Sequence, residues 1–170
     1  VEGVLYRRIA DGTADFTQGP AMTREQALLA IETGMALVRD AREAGFSLLA
    51  TGEMGIGNTT TSSAVAAVLL GDPVERMTGR GAGLSDAGLG RKLDAIRRGI
   101  SRNRPNAEDA LDVLGKLGGL DIAGLCGVFL GGARYRVPIV MDGFISGVAA
   151  LCAVRLCPRA EAAIFASHAS

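Results

Sequence analysis

One stretch constrains this chain more than any other: Thr51-Gly52-Glu53-Met54-Gly55-Ile56-Gly57-Asn58-Thr59-Thr60-Thr61. The apolar run Phe46-Ser47-Leu48-Leu49-Ala50 leads into it, and the helix-favouring run Ser62 to Leu70 leads out. A buried strand, a glycine-rich turn and a helix N-terminus, in that order, are how α/β proteins build an anion site. The glycines let backbone N–H groups approach a ligand, and the helix start supplies unpaired donors and the positive end of its dipole. The spacing Gly52-x-x-x-x-Gly57-Asn58-Thr59 is that of a P-loop, with Asn58 where the lysine belongs. Glu53 adds a carboxylate inside the loop. Both anomalies argue against a polyphosphate and for a single phosphate whose counter-charge comes from elsewhere, with Lys92 and Arg80 as candidates. A tight strand-to-helix turn without a ligand is the alternative that one glycine loop leaves open.

The flanking segments set the fold class. Thr23 and Gln26 have capping-box spacing before a helix whose Ala27, Ile31, Met35 and Val38 share a face, and Gly45 is its stop. Phe46 to Ala50 reads as a buried strand. Helices are expected over Thr60 to Leu70, after Ser85-Asp86 through Ile100, from Asn106 and Asp109 to Leu117, over Asp121 to Arg134, and over Phe144 to Leu156. Val137 to Met141 and Ala162 to Ala166 read as further strands. The expected architecture is α/β: a Rossmann-like three-layer fold with a parallel sheet, with ligands where the strands end. Three strands are few for this much helix. The chain is therefore expected to be one nucleotide-binding domain, residues 1–170, lacking N- and C-terminal parts of a larger enzyme.

Composition excludes several classes. Eighteen basic residues balance eighteen acidic ones, so there is no electrostatic footprint for nucleic acid. The local cluster Arg97, Arg98, Arg102 and Arg104 reads as a solvated helix face. No run reaches the ~18 apolar residues of a membrane span, and no basic-then-apolar leader opens the chain. Cys126, Cys152 and Cys157 show neither a disulfide framework nor metal-ligand spacing, so reduced, packed thiols, no metal and a cytoplasmic location are expected.

Asp142-Gly143 sits where the second strand ends. The carboxylate is placed either to accept from a ribose hydroxyl or to cap the next helix. His168, the only histidine, has no nucleophile or acid to pair with in the pattern and reads as a surface residue. Three loops at strand ends, each with glycine and a small polar residue, point together to a phosphorylated small molecule.

These loops carry a resemblance. Gly52 to Thr60, then Gly79-Arg80-Gly81-Ala82-Gly83-Leu84 with Arg91-Lys92, Gly118-Gly119-Leu120-Asp121-Ile122-Ala123, Val140 to Ile145 and Ser167-His168-Ala169-Ser170 fall in one order over nearly the whole chain. That series resembles the nicotinate-nucleotide–dimethylbenzimidazole phosphoribosyltransferase family. The resemblance implies phosphoribosyl transfer from nicotinate mononucleotide to 5,6-dimethylbenzimidazole, giving α-ribazole 5′-phosphate and nicotinate, with inversion at the anomeric carbon, no cofactor and a homodimeric enzyme. It puts Glu53 and Gly55 at the nucleotide, with Glu53 near the cationic sugar centre. It places Gly81, Lys92, Asp142, Gly143 and Ser170 around the ribose and phosphate, with Gly57, Asn58 and Thr59 completing the loop. The general base is expected in a Gly-Glu-Gly-type segment beyond residue 170. The competing expectations are a non-catalytic nucleotide-binding fragment or paralogue and, disfavoured by Asn58, a P-loop-like hydrolase.

Overall fold

The computed structural model describes residues 3–81 and 83–168. Among these residues seven helices and three short strands follow one another as α1 (Arg24–Glu43), β1 (Leu49–Ala50), α2 (Asn58–Leu70), α3 (Val74–Met77), α4 (Asp86–Asn103), α5 (Ala110–Leu117), α6 (Leu120–Tyr135), β2 (Ile139–Met141), α7 (Phe144–Leu156) and β3 (Ile164–Ala166). A 3-10 turn, Pro158–Ala163, precedes β3. The strands form one parallel sheet in the order β1-β2-β3, with Leu49 opposite Ile139 and Val140 opposite Phe165. The mixed α/β class with a parallel sheet agrees with the sequence reading.

The helix starts follow local chemistry. The Thr23 hydroxyl accepts from the Gln26 N–H while the Gln26 side chain accepts from the Thr23 N–H, closing the expected capping box. Ser85 caps α4, and Asp109 caps α5 by accepting from the Leu111 and Asp112 N–H groups.

The strands are shorter than their apolar runs, because neighbouring helix ends claim the outer residues. At the end of α1, Gly45 takes a left-handed φ of 94°, its N–H donates to Arg42, and the Phe46 N–H returns to Ala41 at 3.0 Å. That is a Schellman motif, so Phe46 belongs to the helix exit. The expected buried strand Phe46 to Ala50 is thus corrected to two residues at a sheet edge, with Phe46 59% and Leu48 58% exposed. Likewise the Val137 N–H returns to Gly132 of α6, and Ala162 falls in the 3-10 turn.

The core compensates for scarce aromatics by bringing backbones together. A Cβ at Gly34 of α1 would lie 2.0 Å from the Gly124 carbonyl oxygen, and one at Gly127 of α6 would lie 2.0 Å from that of Ile31. The α1–α6 contact therefore exists only because these positions carry no side chain. Around it Phe129, Ile122, Val38, Leu114 and Ile139 are fully buried. Cys126 and Cys152 are buried in the same core and Cys157 is half-buried, all three as free thiols. Among the described residues no helix is long and apolar enough to cross a membrane.

Candidate active site

The loops at the carboxyl edge of the sheet meet as the strand order requires. The Thr51 hydroxyl donates to the Val140 carbonyl at 3.2 Å, and the Asp142 N–H donates to the Thr51 oxygen at 3.3 Å. The glycine loop and Asp142-Gly143 are thereby joined. The Ser167 N–H adds a bond to the Met141 carbonyl, bringing the third strand end alongside.

Helix caps set this edge apart from the starts of α1, α4 and α5. α2, α6 and α7 begin at Gly57, Gly119 and Gly143, and none of these starts has a side-chain cap. α1, α4 and α5, which start elsewhere, have Thr23, Ser85 and Asp109. Among the described residues the first-turn N–H groups at these three loops thus have no side-chain cap, as is also true of α3 at Pro73. Asp142 stands one residue before the Gly143 cap and makes no capping bond, so its carboxylate is free for the pocket.

Lys92 is a buried cation beside these loops. It projects from α4, is only 7% exposed, and its Nζ donates to Thr59 Oγ1 at 3.0 Å and to the Gly79 carbonyl at 3.1 Å. Burial holds its ammonium below the usual lysine range. Gly81 turns beside it with φ 58°, and a Cβ there would press to 3.3 Å of the Thr59 hydroxyl. Lys92, Thr59, Gly79 and Gly81 line a cavity of about 400 Å³ together with Arg76 and Phe144. Arg80, the other candidate cation, is committed to Asp86 and to the Leu84 carbonyl.

A smaller pocket of about 110 Å³ adjoins this one, sharing Thr59 and Phe144 and adding Glu53, Asp142 and Gly143. Glu53 in turn also lines a cavity of about 550 Å³ with apolar walls that include Leu37, Met54, Leu120, Leu125 and Val128. Three compartments therefore follow one another: one beside the buried ammonium, one lined by Glu53 and Asp142, and one with mostly apolar walls that also carries Arg7, Glu53, Asn58 and Asp121. Gly55, at φ 75°, keeps the loop folded over the Glu53 carboxylate.

The predicted residues do not all face one way. Thr59 looks toward Lys92, whereas the Asn58 amide turns toward Glu53 and Asp121, and Gly57 borders a separate hollow with Asn58 and Asp121. Ser170 lies outside the described residues. Asp121 was not singled out by the sequence reasoning, although its place directly after Gly118-Gly119 at a helix start was a usable signal. Phe144 was also missed, and its one signal was adjacency to Asp142-Gly143. Among the described residues there is no cluster of potential metal ligands.

Comparison with known proteins covers nearly the whole chain. The chain matches the phosphoribosyltransferase family over residues 1–170. It is 53% identical over 169 residues to the nicotinate-nucleotide–dimethylbenzimidazole phosphoribosyltransferase of Acetivibrio thermocellus, covering 99% of this chain and 48% of that protein. Identity is 55% over 164 residues to the enzyme of the same name from Roseiflexus castenholzii, covering 96% and 46%. The crystal structure of CobT from Thermus thermophilus superposes with a TM-score of 0.92 at 41% identity, over 98% of this chain and 50% of that one. The chain thus spans about half the length of the curated relatives it matches. With the family matched over residues 1–170 and 98% of the chain superposing on a member's crystal structure, the chain belongs to the nicotinate-nucleotide–dimethylbenzimidazole phosphoribosyltransferase family.

Proposed function

We propose that this chain is the donor-binding core of an enzyme that transfers the phosphoribosyl group of nicotinate mononucleotide to 5,6-dimethylbenzimidazole, in the synthesis of the lower ligand of cobalamin. The observation that carries the proposal is the order of the three compartments. A buried ammonium, then two carboxylates, then apolar walls match a phosphate, a ribose and an aromatic ring read along one nucleotide. Lys92 takes the phosphate, with Thr59, Gly79 and Gly81 around it. Asp142 and Gly143 take the ribose, and Glu53 stands at its anomeric end.

The chemistry suits those placements. The bond between C1′ and the pyridine nitrogen breaks with its electron pair returning to the ring, so nicotinate leaves without needing a proton. Positive charge grows on the ribose as this happens, and a carboxylate fixed nearby stabilises it. The azole nitrogen bonds to C1′ from the opposite face, inverting the centre, and its ring proton passes to a general base. We place that base outside residues 1–170, in the Gly-Glu-Gly-type segment the family resemblance implies. The relatives' greater length and the free thiols support a larger, cytoplasmic enzyme, and the family resemblance supports a homodimer.

Titration calorimetry tests the donor assignment. Nicotinate mononucleotide is expected to bind without Mg²⁺ and in preference to ATP. A preference for ATP that depends on Mg²⁺ would replace this reading with a nucleotide hydrolase. Formation of α-ribazole phosphate by residues 1–170 alone, at the rate of a full-length relative, would refute the placement of the base.

A further inference from the structure

On the wall of the large cavity, one polar arrangement joins the starts of two helices to the loop glutamate. The Asn58 side chain, at the first turn of α2, sits between two carboxylates: its Nδ2 donates to Glu53 Oε2 and, at 2.7 Å, to Asp121 Oδ2. Carboxylates only accept, so the end of the amide facing both is the NH₂, and each of its protons has one acceptor. The amide is then a bridge with no freedom to rotate. Asp121 lies 63 residues from Asn58 in sequence, at the start of α6.

Two further features show the chain accommodating this bridge. A Cβ at Gly119 would meet Asp121 Oδ1 at 2.3 Å, although the Gly119 backbone, at φ −136°, is open to any residue. Glycine leaves room there for the Asp121 carboxylate as it is placed; a larger residue would make that side chain shift. The Asn58 Oδ1 is buried and has no partner among the described residues. An unpaired buried acceptor costs on the order of 1–3 kcal/mol. That cost is borne at a residue whose other end holds Glu53.

We propose that Asp121 is a positioning residue for the transfer: through the Asn58 amide it fixes the rotamer of Glu53 and so aims that carboxylate at the anomeric end of the ribose. This rests on the donor assignment above for its consequence, but not for the bridge itself. The bridge partners Asn58 and Asp121 line the large cavity with Glu53, whereas Asp142 lies in the adjoining pocket. Held by the bridge, Glu53 stays on the wall between the two, where positive charge on the sugar needs it. Pre-orientation of this kind removes a rotamer cost that the bound donor would otherwise meet.

The test combines ligand binding with a ligand-free readout. In calorimetry with nicotinate mononucleotide, Asp121→Ala is expected to weaken binding about tenfold, the worth of one charge-assisted hydrogen bond. Asp121→Asn keeps an oxygen facing the Asn58 amide and is expected to restore most of that loss. In a Glu53→Ala background, Asp121→Ala is expected to cost nothing more, because Asp121 acts through Glu53. Thermal unfolding of each variant separates this from loss of fold, which would lower the melting temperature and affect both backgrounds alike. Without ligand, ¹⁵N NMR of the Asn58 side-chain amide is expected to show two inequivalent, slowly exchanging protons that lose protection in Asp121→Ala. An unprotected amide in the wild type, or additive losses in the double variant, would overturn the proposal. Failure of the wild type to bind the nucleotide while the amide stays protected would instead overturn the donor assignment.

Discussion

Replacing Lys92 by Met separates the two roles a buried ammonium can have. Methionine keeps most of the apolar stem and removes the charge. In the free protein the lysine gains two hydrogen bonds, to Thr59 and the Gly79 carbonyl, and gives up much of its hydration. Burial lowers its pKa, so the folded protein prefers it neutral more than the unfolded chain does. Between the lowered value and the unfolded value of about 10.4, the unfolded state binds more protons, and stability rises with pH through that window. Below it the charged lysine is a burden on the fold. Lys92→Met is therefore expected to leave the melting temperature at pH 7 unchanged or raise it, and to flatten the rise in stability on the alkaline side. Binding should respond the opposite way. A charged hydrogen bond to phosphate is worth about 1.5–3 kcal/mol, or roughly 10- to 150-fold in Kd. Calorimetry at pH 7 should show that loss for nicotinate mononucleotide and almost none for nicotinate, which has no phosphate. Equal losses for both ligands, or a large drop in melting temperature with no selective loss, would refute the assignment of Lys92 to the phosphate.

Two further expectations concern the scaffold. Gly34→Ala drives a methyl group into the α6 backbone, where no side chain can rotate away; a loss of about 3 kcal/mol or more is expected in urea unfolding. Gly90→Ala, exposed on α4 with nothing within 4 Å, should instead gain about 0.5–1 kcal/mol. A loss at Gly90 equal to that at Gly34 would mean that helix contact does not set the effect. The thiols should also divide by burial: burial pushes Cys152 up to about 12 and Cys126 well above the usual range. At pH 8 an aromatic disulfide reagent should label half-buried Cys157 in the native protein and reach Cys126 and Cys152 only on unfolding. Fast labelling of all three would contradict the packed core.

Much of this was legible in the chain because helix ends are local events. Thr23 with Gln26 and Ser85 announce their helices within four residues, and the structure starts helices there, whereas the helix expected from Asn106 starts only after Asp109, which is its cap. The same locality hid the strand lengths. Phe46, Val137 and Ala162 look like strand residues by apolarity, yet each is used by a helix exit or a turn, and hydrogen-bond geometry alone decides between these uses. Asp142 was ambiguous for a related reason. An Asp beside a Gly suits a cap or a ligand equally, until the structure sets the cap at Gly143.

What the sequence by itself determined was the glycine loop between strand and helix and the α/β order, and from these came the expectation of a phosphate site whose cation lies outside the loop. Its residue blocks also carried the family. What only the tertiary structure decided was which distant side chains complete the loop. Lys92 reaches Thr59 across 33 residues, and Asp121 reaches Asn58 across 63. Parallel strands need long crossovers, so residues far apart in the chain are returned to the same sheet edge. No local pattern encodes where those crossovers land. The close α1–α6 contact, set by Gly34 and Gly127, is part of what settles it.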